Sequence, residues 1–485
     1  VLRLTFDPQI SFWRDAFRNG DRAPLGWFLS GDSVGGTHIP QLARLEADVA
    51  VAARLPGFFA NLGSARLSAR AERRVTPILL ELGVTDRLAI CVRAPLVRVH
   101  TRVAFALDST AGNLGANPRL TDPNAELLYG AFFGDFDAAL TQLLQNIAAG
   151  TYGPPGSGLR AAAQAFADSA VDVRGALYRA AFGAGPGDAA PFLPTGASAG
   201  GVAIGANVSR IQQELALTWG VAGFTDAFPL PDARASALDV EALMVDRSVG
   251  YGAGPLRDTR PALRYWLGDV EVQARYRVIA GGQYATTLGA LVRLPTGHQD
   301  SPHNFLDVAA GDRQLDVEAE LTQELTLGGR LWLNAALRAG LQRPGERERR
   351  VGPAAGVLLP AGATARLEWD PGDYVAIDVA PLYRFTPEFG AGLTLGYFIQ
   401  GQDRYSYRTP QDSLAVATAL GAPLPAGVLD AGTAERRLVV GGAVTFATRQ
   451  VEGAFTVERV VSARGVGAPA LTQVRIVLRT SRRIL

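Results

Sequence analysis

The 485-residue chain contains no lysine; all 47 of its basic residues are arginine. That absence excludes a Walker-type phosphate loop, whose lysine reaches the terminal phosphates of a nucleotide. The exclusive use of arginine, with abundant alanine and glycine, most simply reflects a GC-rich genome. A single cysteine, Cys91, excludes an internal disulfide framework and a multi-cysteine metal or cluster site. It sits in the strand-like stretch LAICVRA, a setting for a small buried or lipid-facing residue rather than a reactive thiol. Net charge is also nearly absent, at +1 from 47 basic and 46 acidic residues. Bulk electrostatics therefore gives no reason to expect a nucleic-acid or acidic-lipid partner. No uncharged run approaches the roughly 18 residues a transmembrane helix needs. The chain opens on VLRLTFDPQISFW without a signal-peptide pattern, so an exported protein would be numbered from at or after a cleavage site.

What the sequence does contain is long alternation. In GDVEVQARYRVIAGG, residues Val270, Val272, Ala274, Tyr276 and Val278 share one parity, while Asp269, Glu271, Gln273, Arg275 and Arg277 share the other. A strand with this pattern has one apolar and one charged face. In a soluble sandwich the apolar face would meet a second sheet, whereas in an outer-membrane barrel it would meet lipid and the charges would line a lumen. About twelve such strands are expected, over 1–14, 63–83, 87–107, 267–279, 283–295, 313–326, 329–342, 373–386, 389–405, 434–448, 452–465 and 469–482. Most exceed the ~5 to 6 residues of an ordinary globular strand.

The connections favour the barrel. Tight turns such as GVTDR, IAGGQ, TLGG, FTPEF and ATRQVE alternate with long segments at 15–62, 108–266, 296–312, 343–372 and 406–433. Transmembrane barrels segregate turns in this way, short in the periplasm and long outside. Aromatics gather beside the tight turns, with Tyr276 and Tyr284 at one, Tyr383, Phe385 and Phe389 at another, and Phe446 and Phe455 at a third, as an interfacial girdle requires. The expected fold is all-β: a transmembrane antiparallel barrel of about 12 (12–14) strands with a helical extracellular or lumenal insert. N-terminal strands occupy 1–107, with a Gly/Pro-rich loop at 15–62 that is expected to join the cap. A helical cap or plug occupies 108–266, where FDAALTQLLQNIAAG, GLRAAAQAFADSAVDVRGALYRAAF and IQQELALTWGV have helical apolar spacing. The remaining strands occupy 267–485.

The lipid face is assigned to residues such as Leu315, Val317, Leu321, Leu333, Leu337, Val375, Ile377, Val474, Ile476 and Leu478. The lumen is assigned to Asp269, Glu271, Gln273, Arg275, Arg277, Arg293, Asp316, Glu318, Glu320 and Arg338. These charges would focus a field and select permeants, or would equally serve as pairs that hold strand register. The alternation slips near Arg73 and near Leu96–Val97, which predicts bulges there.

Catalytic signals are weaker. Gly31-Asp32-Ser33 and Asp300-Ser-Pro-His303 match the nucleophile and Asp-x-x-His blocks of GDS-type lipases, but the strand–helix alternation of such hydrolases and their Gly-x-Asn-Asp block are missing. Gly196-Ala-Ser198-Ala-Gly200 formally matches a nucleophile elbow but follows PFLPT rather than a buried strand. His298 and His303 share a loop with Asp300 and Asp307, without the defined spacing of a metal site. No metal, cofactor or catalytic residue is assigned.

The segments LGDVEVQARYRV, LVRLPTG and GDRQLDVEAEL resemble the signature region of outer-membrane transporters for hydrophobic compounds: the FadL-like fatty-acid and aromatic-hydrocarbon channels, and the related barrels linked to the meta pathway of phenol degradation. The resemblance covers about Thr76 to Pro95 and Leu267 to Thr326. It implies diffusion of a small hydrophobic molecule through a plugged barrel. The sequence departs from the fatty-acid channels in having no Asn-Pro-Ala hatch motif, about 12 strands in place of 14, and Leu485 in place of a terminal Phe. The expected function is an outer-membrane channel for small hydrophobic or amphipathic molecules, with outer-membrane lipid and the permeant as partners. The alternatives are a structural barrel whose cap docks other surface proteins, and a barrel-associated esterase.

Overall fold

The computed structural model describes residues 2–184, 190–245, 265–304, 307–352, 359–448 and 450–482; residues 246–264 of the insert, and Leu485, lie outside these. Alternation becomes a closed wall of twelve strands. These are β1 in two halves (Leu2–Phe6 and Gln9–Trp13), β2 (Ser64–Gly83), β3 (Leu88–Asp108), β4 (Val270–Ala280), β5 (Tyr284–Leu294) and β6 (Asp316–Leu327), followed by β7 (Leu331–Gln342), β8 (Tyr374–Arg384), β9 (Phe389–Gln400), β10 (Glu435–Ala447), β11 (Val451–Arg464) and β12 (Thr472–Arg482). Each pairs antiparallel with its neighbours in sequence, and β1 also pairs with β12, which closes the sheet. Closure pairs the backbone groups around the whole wall, as a hydrocarbon surround demands. β1 breaks at Asp7-Pro8 because proline has no N–H to donate; the Pro8 carbonyl still accepts from Ile476 N at 3.0 Å.

The outer surface is apolar on strand after strand. Leu4, Ile78, Leu80, Ile90, Val92, Val272, Leu288, Val317, Leu333, Val375, Val444 and Ile476 are all exposed. An apolar band of that extent around a closed barrel is a lipid-facing surface. Tyr276, Tyr284, Tyr383, Phe385, Phe389 and Phe455 are exposed near the tight-turn end, forming one girdle. The expected fold is borne out: the chain is a transmembrane antiparallel barrel of the bacterial outer membrane, and it crosses with strands, since none of the described helices is long and apolar enough to do so.

The bulges expected at Arg73 and Leu96–Val97 are not there. β2 and β3 pair in unbroken register from Ser64 opposite Asp108 to Gly83 opposite Ala89. What changes is the environment. Below these points the outward side chains are Ile78, Leu80, Ile90 and Val92, and above them they are Arg66, Arg70, Arg98 and Arg102. The inward face turns the other way, from Glu81 and Arg93 to Leu67 and Val103, which are buried. The two strands outgrow the membrane, so the polarity of their faces inverts while the register holds. Bulges lie instead between Arg277 and Ile279 and between Leu438 and Val439.

That arm carries the helical insert. Helices α1 (Pro40–Ala52), α2 (Ala125–Ala148), α3 (Gly158–Phe182), α4 (Ala199–Gln213) and α5 (Ala237–Val245) share one core with Ala65, Leu67 and Val103 on the lumen-side face of the arm. Its centre is aromatic: Phe136 stacks on Phe224 with ring centroids 4.5 Å apart, and Phe132 meets Phe228 edge-on at 5.2 Å. Segment 15–62, expected as a Gly/Pro-rich loop joining the cap, does join it: it contributes α1 to this core, and it also forms a hairpin from Asp15–Arg18 to Asp21–Pro24. Asn19 and Gly20 turn that hairpin at φ of 52° and 107°, an Asn-Gly turn whose positive φ values suit the strand twist. A second outer module forms where 343–372 and 406–433 read as loops. Strands Gly345–Arg350, Thr364–Asp370 and Arg404–Tyr407 pack with α6 (Pro410–Leu420) around Val351, Leu367 and Val416.

Candidate functional site

The inner parity of the twelve strands encloses a cavity of about 940 Å³. Among the described residues it is lined by eight arginines (Arg73, Arg93, Arg275, Arg293, Arg338, Arg437, Arg475 and Arg479) and six carboxylates (Asp7, Glu271, Glu318, Glu320, Asp378 and Glu458). Between them stand apolar side chains, among them Val75, Leu79, Leu291, Val308, Val379, Val460 and Leu471.

Cross-strand register sets how the charges pair. Glu271 of β4 lies opposite both Arg93 of β3 and Arg293 of β5, and accepts from each at 3.2 Å. Arg293 also holds Asp316 of β6 at 2.7 Å. Glu81 of β2 receives Arg3 at 2.6 Å and lies 3.7 Å from Arg275. Arg338 meets Asp378 at 2.6 Å, and Arg475 of β12 makes a two-pronged pair with Asp7 at 2.6 and 2.7 Å. All of these link strands one or two places apart around the wall, so the charges neutralise one another laterally and leave the middle of the lumen unbridged. Two inward glycines allow the longer reaches. The Tyr374 hydroxyl of β8 passes over β7 at Gly340 to donate to Glu318 of β6; a Cβ at Gly340 would lie 2.2 Å from the tyrosine ring. Gln273 of β4 likewise reaches Glu320 of β6 over Gly289, where a Cβ would stand 3.2 Å from that of Glu320.

Seven of the ten residues assigned to the lumen line the cavity: Glu271, Gln273, Arg275, Arg293, Glu318, Glu320 and Arg338. The other three sit elsewhere. Asp316, 1% exposed, lies behind Arg293. Arg277 is exposed beside the bulge at the short-turn end, where its N–H donates to Arg87 O at 2.8 Å. Asp269 is a tether: its carboxylate accepts from Gly297 N and Asp312 N, both at 2.7 Å, and so pins the connection 296–312, which places Val308 in the cavity wall. Asp269→Ala removes two charge-assisted bonds worth roughly 1.5–3 kcal/mol each. The variant is expected to assemble but to show added current noise in single-channel recordings, as the connection moves against the lumen; a trace as quiet as wild type would mean the tether is redundant.

Sequence reading missed Arg73, Arg93, Asp7, Asp378, Arg437, Glu458, Arg475 and Arg479. Parity carried back from Glu81 would have found Arg73, had the inversion on β2 not been read as a slip there, and parity from Cys91 gives Arg93 before the inversion on β3 is reached. Arg73 differs from the other cations in the wall. Its Nε is buried without a hydrogen bond, and no carboxylate pairs with it among the described residues.

The catalytic motifs do not assemble. The Ser33 hydroxyl is buried and makes no hydrogen bond among the described residues, so no base activates it. The Asp300 carboxylate is held by Arg349 and, at 3.1 Å, by Arg347. Burial pushes its pKa up, but the hydrogen bonds and charges of the two arginines outweigh that and hold it below the ordinary value. This clasp on the outer module is therefore intact at neutral pH and loosens only as pH falls through the lowered pKa. Ser198 is the N-cap of α4: its Oγ accepts from Gly201 N at 3.2 Å and donates to Thr195 O at 2.7 Å. His298 stacks on Trp266 with centroids 4.0 Å apart, and Asp307 accepts from Ser301 N at 3.0 Å.

Neither a family model nor a curated relative matches the sequence. Among solved structures, similarity is found to an outer membrane channel of Pseudomonas putida F1, at 7% identity and a TM-score of 0.42, over 99% of this chain and 94% of that one. The CymD monoaromatic hydrocarbon channel matches at 9% identity and a TM-score of 0.28, over 99% and 88%. The transport unit of the Escherichia coli autotransporter AIDA-I matches at 5% and 0.34, over 99% and 90%. Likenesses this remote, to channels and an autotransporter alike, leave function to the geometry of the lumen.

Proposed function

We propose that the protein is a passive outer-membrane channel for small amphipathic molecules, those with an apolar body and a polar or anionic group. The observation that carries this reading is the lumen itself: about 940 Å³ of space, in the range that receives a small organic ligand, with paired charges fixed along the wall and apolar side chains between them. A wall of paired charges solvates a polar group without trapping it, and the apolar patches give the rest of the permeant a surface to slide on. The excess of eight arginines over six carboxylates among the described lining residues, with no hydrogen bond to the buried Nε of Arg73 among them, tips the balance toward anions.

Reconstitution tests this. Proteoliposomes are expected to take up benzoate faster than sucrose, and a planar bilayer should show weak anion preference that moves toward cations in Arg73→Gln. A barrel that conducts nothing and admits neither solute would favour a purely structural role.

A further inference from the structure

The near-neutral net charge hides a local excess on the outside of the arm. Arg66, Arg70 and Arg74 of β2 and Arg98 and Arg102 of β3 share the outward parity, directly above the lipid-facing Ile78, Leu80, Ile90 and Val92. Register places Arg70 opposite Arg102 and Arg74 opposite Arg98. Like charges directly across an antiparallel pair are destabilising. Only Arg74 has a carboxylate among the described residues, Glu72 at 2.6 Å; Arg66, Arg70, Arg98 and Arg102 have none. A second pair repeats the arrangement three places further round the wall, where Arg436 lies opposite Arg464 on the outer ends of β10 and β11. The level is that of headgroups, since Phe12 stands outward opposite Glu72 with the Arg70 guanidinium 6.0 Å from its ring.

We propose that this arginine face binds the phosphate groups of the phosphorylated glycolipid in the outer leaflet. The charge that the chain leaves out is supplied by the membrane. Arginine suits the task, because its planar guanidinium takes phosphate oxygens two at a time, and a flat ladder of such groups matches a headgroup carrying more than one phosphate. The patch belongs to the arm and not to the lumen, so it would anchor and orient the barrel without touching the permeant.

The test uses the full chain in neutral detergent, with diphosphoryl lipid A and its dephosphorylated form as probes. Wild type is expected to hold the diphosphoryl lipid at least about tenfold more tightly, and R66Q/R70Q/R98Q/R102Q to lose that preference while keeping wild-type conductance in a phosphatidylcholine bilayer. Should the fourfold variant fail to fold, Arg102→Glu serves instead. It pairs with Arg70, so it should raise the melting temperature in phosphate-free detergent and still lower lipid A binding. Equal retention of the two lipids by wild type, unchanged preference in both variants, or complete displacement of lipid A by millimolar inorganic pyrophosphate would overturn the proposal, the last by showing a site for free phosphate.

Discussion

Arginine at Val272 or Leu333 is expected to abolish assembly of the barrel. Both side chains face outward in the apolar band, and an arginine on the lipid face near the bilayer midplane costs roughly 2 to 4 kcal/mol. Few outer-membrane barrels have stability to spare on that scale, because net folding free energies are themselves only ~5 to 15 kcal/mol. Ala336 supplies the control. It lines the cavity and lies opposite Asp378, so Ala336→Arg places its charge beside a carboxylate and should assemble normally. Heat-modifiable migration on gels reads the outcome for all three. Equal tolerance would contradict the assignment of faces.

The second large effect concerns the cap. The register offers two places to cut, since Trp13 lies opposite Ala71 and Val97 lies opposite Trp266. Removing 14–70 and 98–265 and joining the strand ends with short turns leaves all twelve strands paired as before. The helical body rests on the lumen-side face of the arm, so its loss should open the mouth and raise single-channel conductance severalfold. The excision must take both segments together, because α1 shares its core with α2–α4; deleting 125–200 alone would expose Leu42, Val103 and Phe224, which are buried in that same core. A trimmed chain that cannot fold would make the cap part of the barrel's own stability.

Strands were legible in the sequence because parity over a dozen residues is a strong signal and each strand of a closed barrel has one lipid face. The expected 329–342 and 434–448 became Leu331–Gln342 and Glu435–Ala447. The same rule failed where the environment changed. On β2 and β3 it assumed that outward means apolar, which is true only within the bilayer, so a membrane boundary read as two bulges. The outer module was missed because its alternation is short. TARLEWD buries Ala365, Leu367 and Trp369, and Thr409-Pro410 is a helix start with its cap and first-turn proline in place, yet both fell inside what read as long loops. Of the candidate site, parity chose the right face of β4 to β7 but could not say which charges reach the cavity. Asp269 and Asp316 are spoken for by Gly297, Asp312 and Arg293, and only packing reveals that.

The two-pronged contact between Asp7 and Arg475 spans 468 positions of the chain, so the last strand fastens to the first. The helical body, which sits on the far side of the membrane, lies between them in sequence. A folded body of that size has no route through a lumen of about 940 Å³. Its polypeptide must therefore cross as an extended thread and condense only after arrival. The seam is a clock: because it joins the first strand to the last, it cannot fasten until the whole length of chain between them, cap included, has been delivered.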